Sequence, residues 1–257
     1  MSIVSALPLT PYLGPLFRKQ ESMNRLHRIS LMKKVNKMYA KLLKTMGLVT
    51  FYPFSHEHAD LQPYLWEGFD VHVRYTYVID LKNSLDNIWK SMDKRRRWEI
   101  KRALKSGIVV EESTKITEFI RLFNESMKRH KIERRYEDIW MKLFHECSPR
   151  NMCKIFTAYA KNGESIASIF IVWDNKRTYY IGSGMSVSMQ GASSLLIWRA
   201  IEFSKKMSLL EFDFEGSSIP SIEEYFRKFG GELRMVQYIR SNSLLLILAR
   251  KLRSLFV

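Results

Sequence analysis

The sequence predicts a mixed α/β fold, a sheet of antiparallel and parallel strands covered by helices. Three observations predict it. The second half of the chain reads α-α-β-β-β-α-β-α-β when helical and alternating apolar periods are followed along it. The segments KIFTAYA, SIASIFIVW and RTYYIGSG are separated by KNGE and DNK, short turn signals that make consecutive strands antiparallel neighbours. A helix-length stretch from Ala192 to Met207 then separates RTYYIGSG from LLEFDF. A strand–helix–strand crossover of that kind makes its two strands parallel. With 257 residues and 46% hydrophobic content, the chain can bury the core of one large domain or two small ones.

The elements follow in order. Residues 1–20, rich in Pro and Gly, read as an irregular lead-in. From Glu21 to Met46 the apolar residues Leu31, Val35, Met38, Leu42 and Met46 recur at three or four, the spacing of an amphipathic helix. Gly47 follows as a residue free to take the left-handed conformation that ends helices. LVTFYPF reads as a strand, and so does VHVRYTYVIDL, which alternates Val71, Val73, Tyr75 and Tyr77 against His72, Arg74, Thr76 and Val78. Ser84 is placed to cap a helix that buries Leu85, Ile88, Trp89 and Met92 and continues through DKRRRWEIKRALKSG to Gly107. IVVEES is a short strand. Two helices follow, one carrying Ile116, Phe119, Ile120, Phe123 and Met127, the other Ile139, Trp140, Leu143 and Phe144. The helix from Ala192 is expected to bury Leu196, Ala200, Phe203 and Met207. LLEFDF, a short helix near Tyr225 and a strand in GGELRMVQYI complete the order.

Charge narrows the partners without choosing one. Forty-two Lys and Arg against 26 Asp and Glu leave a formal +16, which favours nucleic acid, phosphorylated small molecules or an anionic membrane surface. Aromatic residues at 13% exclude a disordered chain. The two cysteines, Cys147 and Cys153, form no disulfide framework or zinc knuckle and read as buried thiols. His56, Glu57 and His58 lack the spacing of a helical zinc site, so no metal is expected. The start MSIVSALPLTPYLGP lacks the basic region of a secretory signal, and no apolar run reaches the roughly 18 residues of a spanning helix. The expectation is a cytoplasmic protein, with the tail SLLLILARKLRSLFV either packed on the domain or lying on an anionic membrane.

Three segments carry a resemblance. In RRRWEIKRALKSGIVV, the residues Arg97, Ile100, Lys101, Ala103, Lys105 and Gly107 resemble a signature of the FemAB-like branch of the GNAT acyltransferases. SLLIWRAIEFSKKMSLLEFDFEG is similar to that branch's helix and strand, with Leu196, Trp198, Ala200 and Ile201 ahead of the run from Phe212 to Gly216. YFRKFGGE is similar to its closing motif. The resemblance covers about Leu61 to Tyr238. It implies a GNAT-like mixed sheet flanked by helices, with a reduced GNAT-like half over 1–114 and an acyltransferase domain over 115–257. It also implies transfer of an acyl or aminoacyl group from acyl-CoA or aminoacyl-tRNA to an amine, with no tightly bound cofactor. Better-known members attach amino acids to a peptidoglycan precursor. A binding module that keeps the fold without the chemistry is the alternative.

The resemblance also places a site. The acyl-CoA loop of GNAT enzymes holds a pyrophosphate on backbone N–H groups at a helix N-terminus. Here SVSMQGASS takes that place, so Gln190, Gly191, Ala192 and Ser193 are the candidate donor-binding residues. Ser188 stands where the family has Gln or Arg, and the second glycine is absent. Arg97, Lys101 and Lys105 step by four onto one helix face and, with Arg74, are candidates for phosphate or substrate; the plain alternative is a solvated basic face. In LLEFDFEG, alternation turns Leu210, Phe212 and Phe214 one way and Glu211, Asp213 and Glu215 the other. Ligands of open sheets lie beyond the carboxyl ends of the strands, so Glu215, and Asp213 behind it, are candidates to hold or deprotonate the amine. The alternative is that they neutralise arginines. Tyr225 matches the GNAT tyrosine that protonates a departing thiolate, or else is core.

Overall fold

The computed structural model describes residues 2–17, 23–58, 60–129, 131, 136–186, 191–216 and 219–242. The chain forms two compact units, Met1–Tyr75 with Arg234–Val257, and Thr76–Leu233. Residues 114 and 115 lie inside the second unit, where the strand Val109–Ser113 pairs with Cys153–Tyr159.

In the smaller unit, β1 (Ile3–Ser5) runs parallel to β2 (Leu48–Pro53), and β2 is antiparallel to β9 (Glu232–Ser241). The lead-in expected to be irregular therefore contributes a strand, tied at its start where Leu48 N donates to the Ser2 carbonyl at 2.8 Å. Helix α1 (Arg25–Met46) begins at an Asn24 cap whose Oδ1 accepts from Leu26 N at 2.8 Å. Its apolar stripe is not the face it buries. Leu31, Met38, Leu42 and Met46 face solvent, and Asn36, Ala40 and Leu43 are buried. The small Ala40 and Leu43 pack with Tyr52, Phe54 and Tyr64, the last of these on α2 (Gln62–Trp66), and the Tyr64 hydroxyl donates to Asn36 Oδ1 at 3.3 Å. An apolar stripe on a helix shows that a face exists, and the tertiary partner decides which face is covered. His58 stacks on Phe54 at 5.0 Å in the same core.

The larger unit takes over within β3 (Phe69–Asp80) and holds α3 (Leu85–Ser91), α4 (Lys94–Lys105), β4 (Val109–Ser113), α5 (Ile116–Arg129), α6 (Glu137–Cys147), β5 (Cys153–Tyr159), β6 (Ser165–Trp173), β7 (Arg177–Met185), α7 (Ala192–Lys206), β8 (Glu211–Asp213) and α8 (Pro220–Arg227). Its strands lie in the order β3-β8-β7-β6-β5-β4. The two hairpins are antiparallel as the turns predicted, and β7 and β8 are parallel as the crossover predicted. Ser84 caps α3, its Oγ accepting from Asn87 N at 3.2 Å. The single long helix expected after it is two. Met92 and Asp93 are extended, and Asp93 Oδ1 accepts from Arg95 N at 2.9 Å as a fresh cap. Asp93 N is drawn away to the Lys228 carbonyl at 3.0 Å. Met207, expected in the core, is the exposed residue that ends α7.

Strand β8 is shorter than its sequence pattern, three residues, yet it carries the centre of the core. Phe212 pairs between Ile79 of β3 and Thr178 of β7. Phe214 lies 4.9 Å from the Phe226 ring and 5.4 Å from Phe229. Both are fully buried, each contributing about 1.5–3 kcal/mol. On the opposite strand face Asp213 is fully buried and accepts from Thr76 Oγ1 at 2.6 Å and from Glu215 N at 2.9 Å. Buried Arg177 donates from Nε and Nη2 to Glu211 Oε2 at 2.6 and 2.5 Å, and the Asp213 charge acts on the same guanidinium. Burial pushes the Cys153 thiol up to about 12, and Cys147 is raised for the same reason, so neither is a thiolate at neutral pH.

Two substitutions test this frame. A Cβ on Gly184 of β7 would stand 2.2 Å from Phe123 N and 2.3 Å from Leu122 C, both backbone atoms of α5. Gly184→Ala is expected to push α5 off the sheet and cost about 1–3 kcal/mol or more, read from urea unfolding; an unchanged midpoint would show that α5 does not pack this closely. Asp213→Asn is expected to cost about 1.5–3 kcal/mol, the range for hydrogen bonds to a buried charge. A wild-type midpoint in that variant would remove the role given to the carboxylate.

Candidate active site

Three helices of the larger unit converge where α7 begins. Gly191 caps α7 with φ +94°, and a Cβ there would stand 2.2 Å from the Glu99 carbonyl oxygen of α4. Glycine thus permits both the left-handed cap and the close approach of α4. The first-turn N–H groups of a helix have no acceptor inside it and carry the positive end of its dipole.

Above this terminus lies Arg96, 4% exposed. Its Nη1 donates to Ser194 Oγ at 2.8 Å and to Glu99 Oε2, and Nη2 donates to the Tyr225 carbonyl at 3.3 Å. The guanidinium carbon lies 3.9 Å from the Tyr225 ring centroid and 4.9 Å from that of Phe229. Ser194 Oγ donates to Glu99 Oε2 at 2.9 Å and stands 3.2 Å from the Tyr225 hydroxyl. Burial pushes the Tyr225 phenol up, against the lowering effect of Arg96 and of the Ser194 hydrogen bond, with Glu99 adding to the rise. The phenol is therefore a protonated donor at neutral pH.

These groups line a cavity of about 360 Å³. Arg95, Ser193, Ser221, Glu224 and Lys228 complete its polar wall. Lys228 Nζ pairs with Glu224 at 2.6 Å, and Arg95 Nε lies 3.5 Å from Glu99. Three cations face two carboxylates in this wall, leaving one positive charge. The arrangement offers an anion site at a helix terminus, a proton donor and a carboxylate within one small space.

The sequence candidates distribute unevenly around it. Gly191, Ser193 and Tyr225 line the cavity, and Ala192 is buried beneath it. Gln190 lies outside the described residues, as does the tail 243–257. Lys101 and Lys105 are exposed, while Arg97 is half-buried with its Nε enclosed; none of the three lines the cavity. Arg74 belongs to the smaller unit, where it donates to the Pro11 carbonyl at 3.2 Å over the Phe51 ring. Asp213 and Glu215 do not line the cavity either. Glu215 is half-buried in a left-handed conformation, φ +61°, held by its N–H bond to Asp213. Its charge adds a small push to the Tyr179 phenol, which burial and then Asp174 raise most. Reasoning from sequence missed Arg96, Glu99 and Ser194. A signal existed for the first: Arg96, Ile100 and Ala103 share one helix face, and the latter two are apolar.

Comparison with known proteins agrees with this fold. No curated protein sequence matches the chain. Among solved structures, FemX shares 12% identity with a TM-score of 0.66, covering 81% of this chain and 76% of that one. The C-terminal domain of a candidate lysylphosphatidylglycerol synthetase from Agrobacterium fabrum shares 10%, TM-score 0.61, over 85% and 76%. L-PGS from Bacillus licheniformis shares 14%, TM-score 0.57, over 84% and 75%. At such identities the likeness is one of fold. Residues 90–227 match the family described as acetyltransferase (GNAT) domain. That span is more than half of the chain and contains α4, α7, α8 and all of the cavity lining except Lys228, so the protein belongs to the GNAT acetyltransferase-domain family.

Proposed function

We propose that the protein is an N-acyltransferase that moves an acyl group from a phosphate-bearing activated donor to an amine, with the cavity at the start of α7 as its donor site. The observation that carries this reading is the buried Arg96, held over the α7 N-terminus beside the Ser194 and Tyr225 hydroxyls. Donor phosphates would take the N–H groups of α7 and the outer cation Arg95. The amine nitrogen attacks the donor carbonyl carbon, the bond from that carbon to the donor's sulfur or ester oxygen breaks, and a carboxylate takes the proton the amine loses. Tyr225 donates its proton to the departing atom. Glu215 is the proposed carboxylate, because it stands outside the donor cavity just past the end of β8, where ligands of open sheets lie, on backbone held at positive φ.

The donor is either acyl-CoA or aminoacyl-tRNA. The fold likeness to FemX and to two proteins named as a lysylphosphatidylglycerol synthetase and as L-PGS supports an aminoacyl donor. So do the exposed cations Lys101, Arg102 and Lys105 along α4, which a long polyanion can follow. Thermal-shift titration with acetyl-CoA and with aminoacyl-tRNA separates the two, since a ligand specific for the native state raises its apparent stability. Stabilisation by neither would favour a fold retained without the chemistry.

With the donor in hand, Tyr225→Phe is expected to lose about 10²–10⁴-fold in kcat. The wild-type rate should hold on the alkaline side to about pH 10 or above, because the phenol's pKa is raised from that ordinary value. An early alkaline fall, or full activity in the variant, would overturn the proton-donor role. Glu215→Gln is expected to lose a similar factor with an unchanged melting temperature. Full activity there would transfer the base to Glu99, the carboxylate inside the cavity.

A further inference from the structure

Helix α1 presents a face that nothing among the described residues covers. Leu31, Met38, Leu42 and Met46 are 43%, 63%, 52% and 52% exposed, and with half-buried Val35 they follow one another by three or four residues, a continuous apolar stripe along most of the helix. The opposite side, Asn36, Ala40 and Leu43, is the one packed into the smaller unit. Between the stripe and the packed side run Lys34, Lys37 and Lys41, which pair with no carboxylate among the described residues. Over its 22 residues α1 carries seven Lys and Arg and no Asp or Glu.

We infer that α1 docks the protein on an anionic phospholipid bilayer, lying in the interface with its Leu/Met stripe in the headgroup–acyl boundary and its lysines on lipid phosphates. The inference stands independently of the proposed reaction. A second copy of the chain is a poor occupant, because pairing α1 with itself would set seven cations against seven. A bilayer instead offers phosphates along the roughly 33 Å length of the helix and an apolar layer a few ångströms below them. Lysine stems are long enough to lie beside the stripe while their ammonium groups stay at the phosphates.

The test is vesicle co-sedimentation of the full chain, with phosphatidylglycerol/phosphatidylcholine vesicles against pure phosphatidylcholine. Binding to the anionic vesicles is expected, weakening in high salt. The double variant Met38→Glu/Leu42→Glu should lose at least tenfold in partitioning. Each of Lys34→Ala, Lys37→Ala and Lys41→Ala should lose roughly fivefold. Circular dichroism and melting temperature of these variants should match the wild type, because the positions are exposed. Absence of binding to anionic vesicles would overturn the proposal. So would undiminished binding by the double variant, which would move the contact to residues 243–257. A dimer in sedimentation equilibrium that the double variant dissociates, without vesicle binding, would make the stripe an interface between copies.

Discussion

The larger unit depends on one buried charge. Arg96 is enclosed by α4, α7 and α8, and an ionised group without water must have its partners supplied by the protein. Glu99, Ser194 and the Tyr225 carbonyl supply hydrogen bonds, and the faces of Tyr225 and Phe229 cover the guanidinium. Each partner comes from a place the fold must hold fixed. Glu99 is one turn along the same helix, Ser194 is in the first turn of α7, and Tyr225 is on α8. The helix break at Met92–Asp93 serves the same end, since Asp93 N bonds to the Lys228 carbonyl at the end of α8. Had the helix run on unbroken, α4 would continue the axis of α3 and that bond could not form. The same contacts that hold Arg96 set the Ser194 hydroxyl within hydrogen-bond distance of both the Tyr225 phenol and the Glu99 carboxylate, beside a cavity.

A second charge arrangement governs the middle of the sheet. β7 and β8 pair over only three residues, Arg177–Tyr179 with Glu211–Asp213. Beyond Asp213 the chain parts from β7 but stays bonded to β3, the Phe214 N–H going to the Tyr77 carbonyl. Asp213 bridges Thr76 on β3 to the backbone of Glu215, and so sets the direction in which the chain departs. The two phenylalanines of the same segment point into the core, while the Glu211 carboxylate pairs with Arg177 and the Asp213 carboxylate accepts from Thr76 and from the Glu215 N–H. The alternating run of acids and aromatics is therefore both a packing device and a charge clamp. A strand that ends early beside a parallel neighbour opens the sheet on the side where a ligand of this fold class lies.

Much of this was legible in the residues. Hairpin turns at KNGE and DNK, the crossover from β7 to β8 and the Ser84 cap follow from local rules about turns, caps and periodicity, and the glycine at the head of α7 came from the family resemblance. What the sequence concealed was tertiary. Arg96 and Arg97 are chemically identical neighbours, and helical geometry turns them a hundred degrees apart. Only the packing of Ile100 and Ala103 tells which of the two goes inside. On α1 the apolar period was read correctly but does not mark the packed face, because Ala40, Asn36 and Leu43 offered the smaller, closer-packing face to Tyr52 and Tyr64. The break at Asp93 was hidden because its cause, the Lys228 carbonyl, is over 130 residues away in the chain.

The charge of the chain is likewise unevenly placed, and that bears on function. Helix α1 holds seven cations and no acid; α4 holds seven cations and one acid, Glu99. Two helices thus carry most of the formal +16. The cavity wall takes only a small share, because Arg96 and Lys228 are matched by Glu99 and Glu224. Strong single-sign fields attract polyanions at long range and fall off over about 8–10 Å at physiological salt. A near-neutral pocket serves a different purpose, since its preset hydrogen bonds act on a reacting group at contact distance. Basic helices that gather anionic partners and a balanced cavity that handles one small group are separate tasks, and this chain assigns them to separate elements.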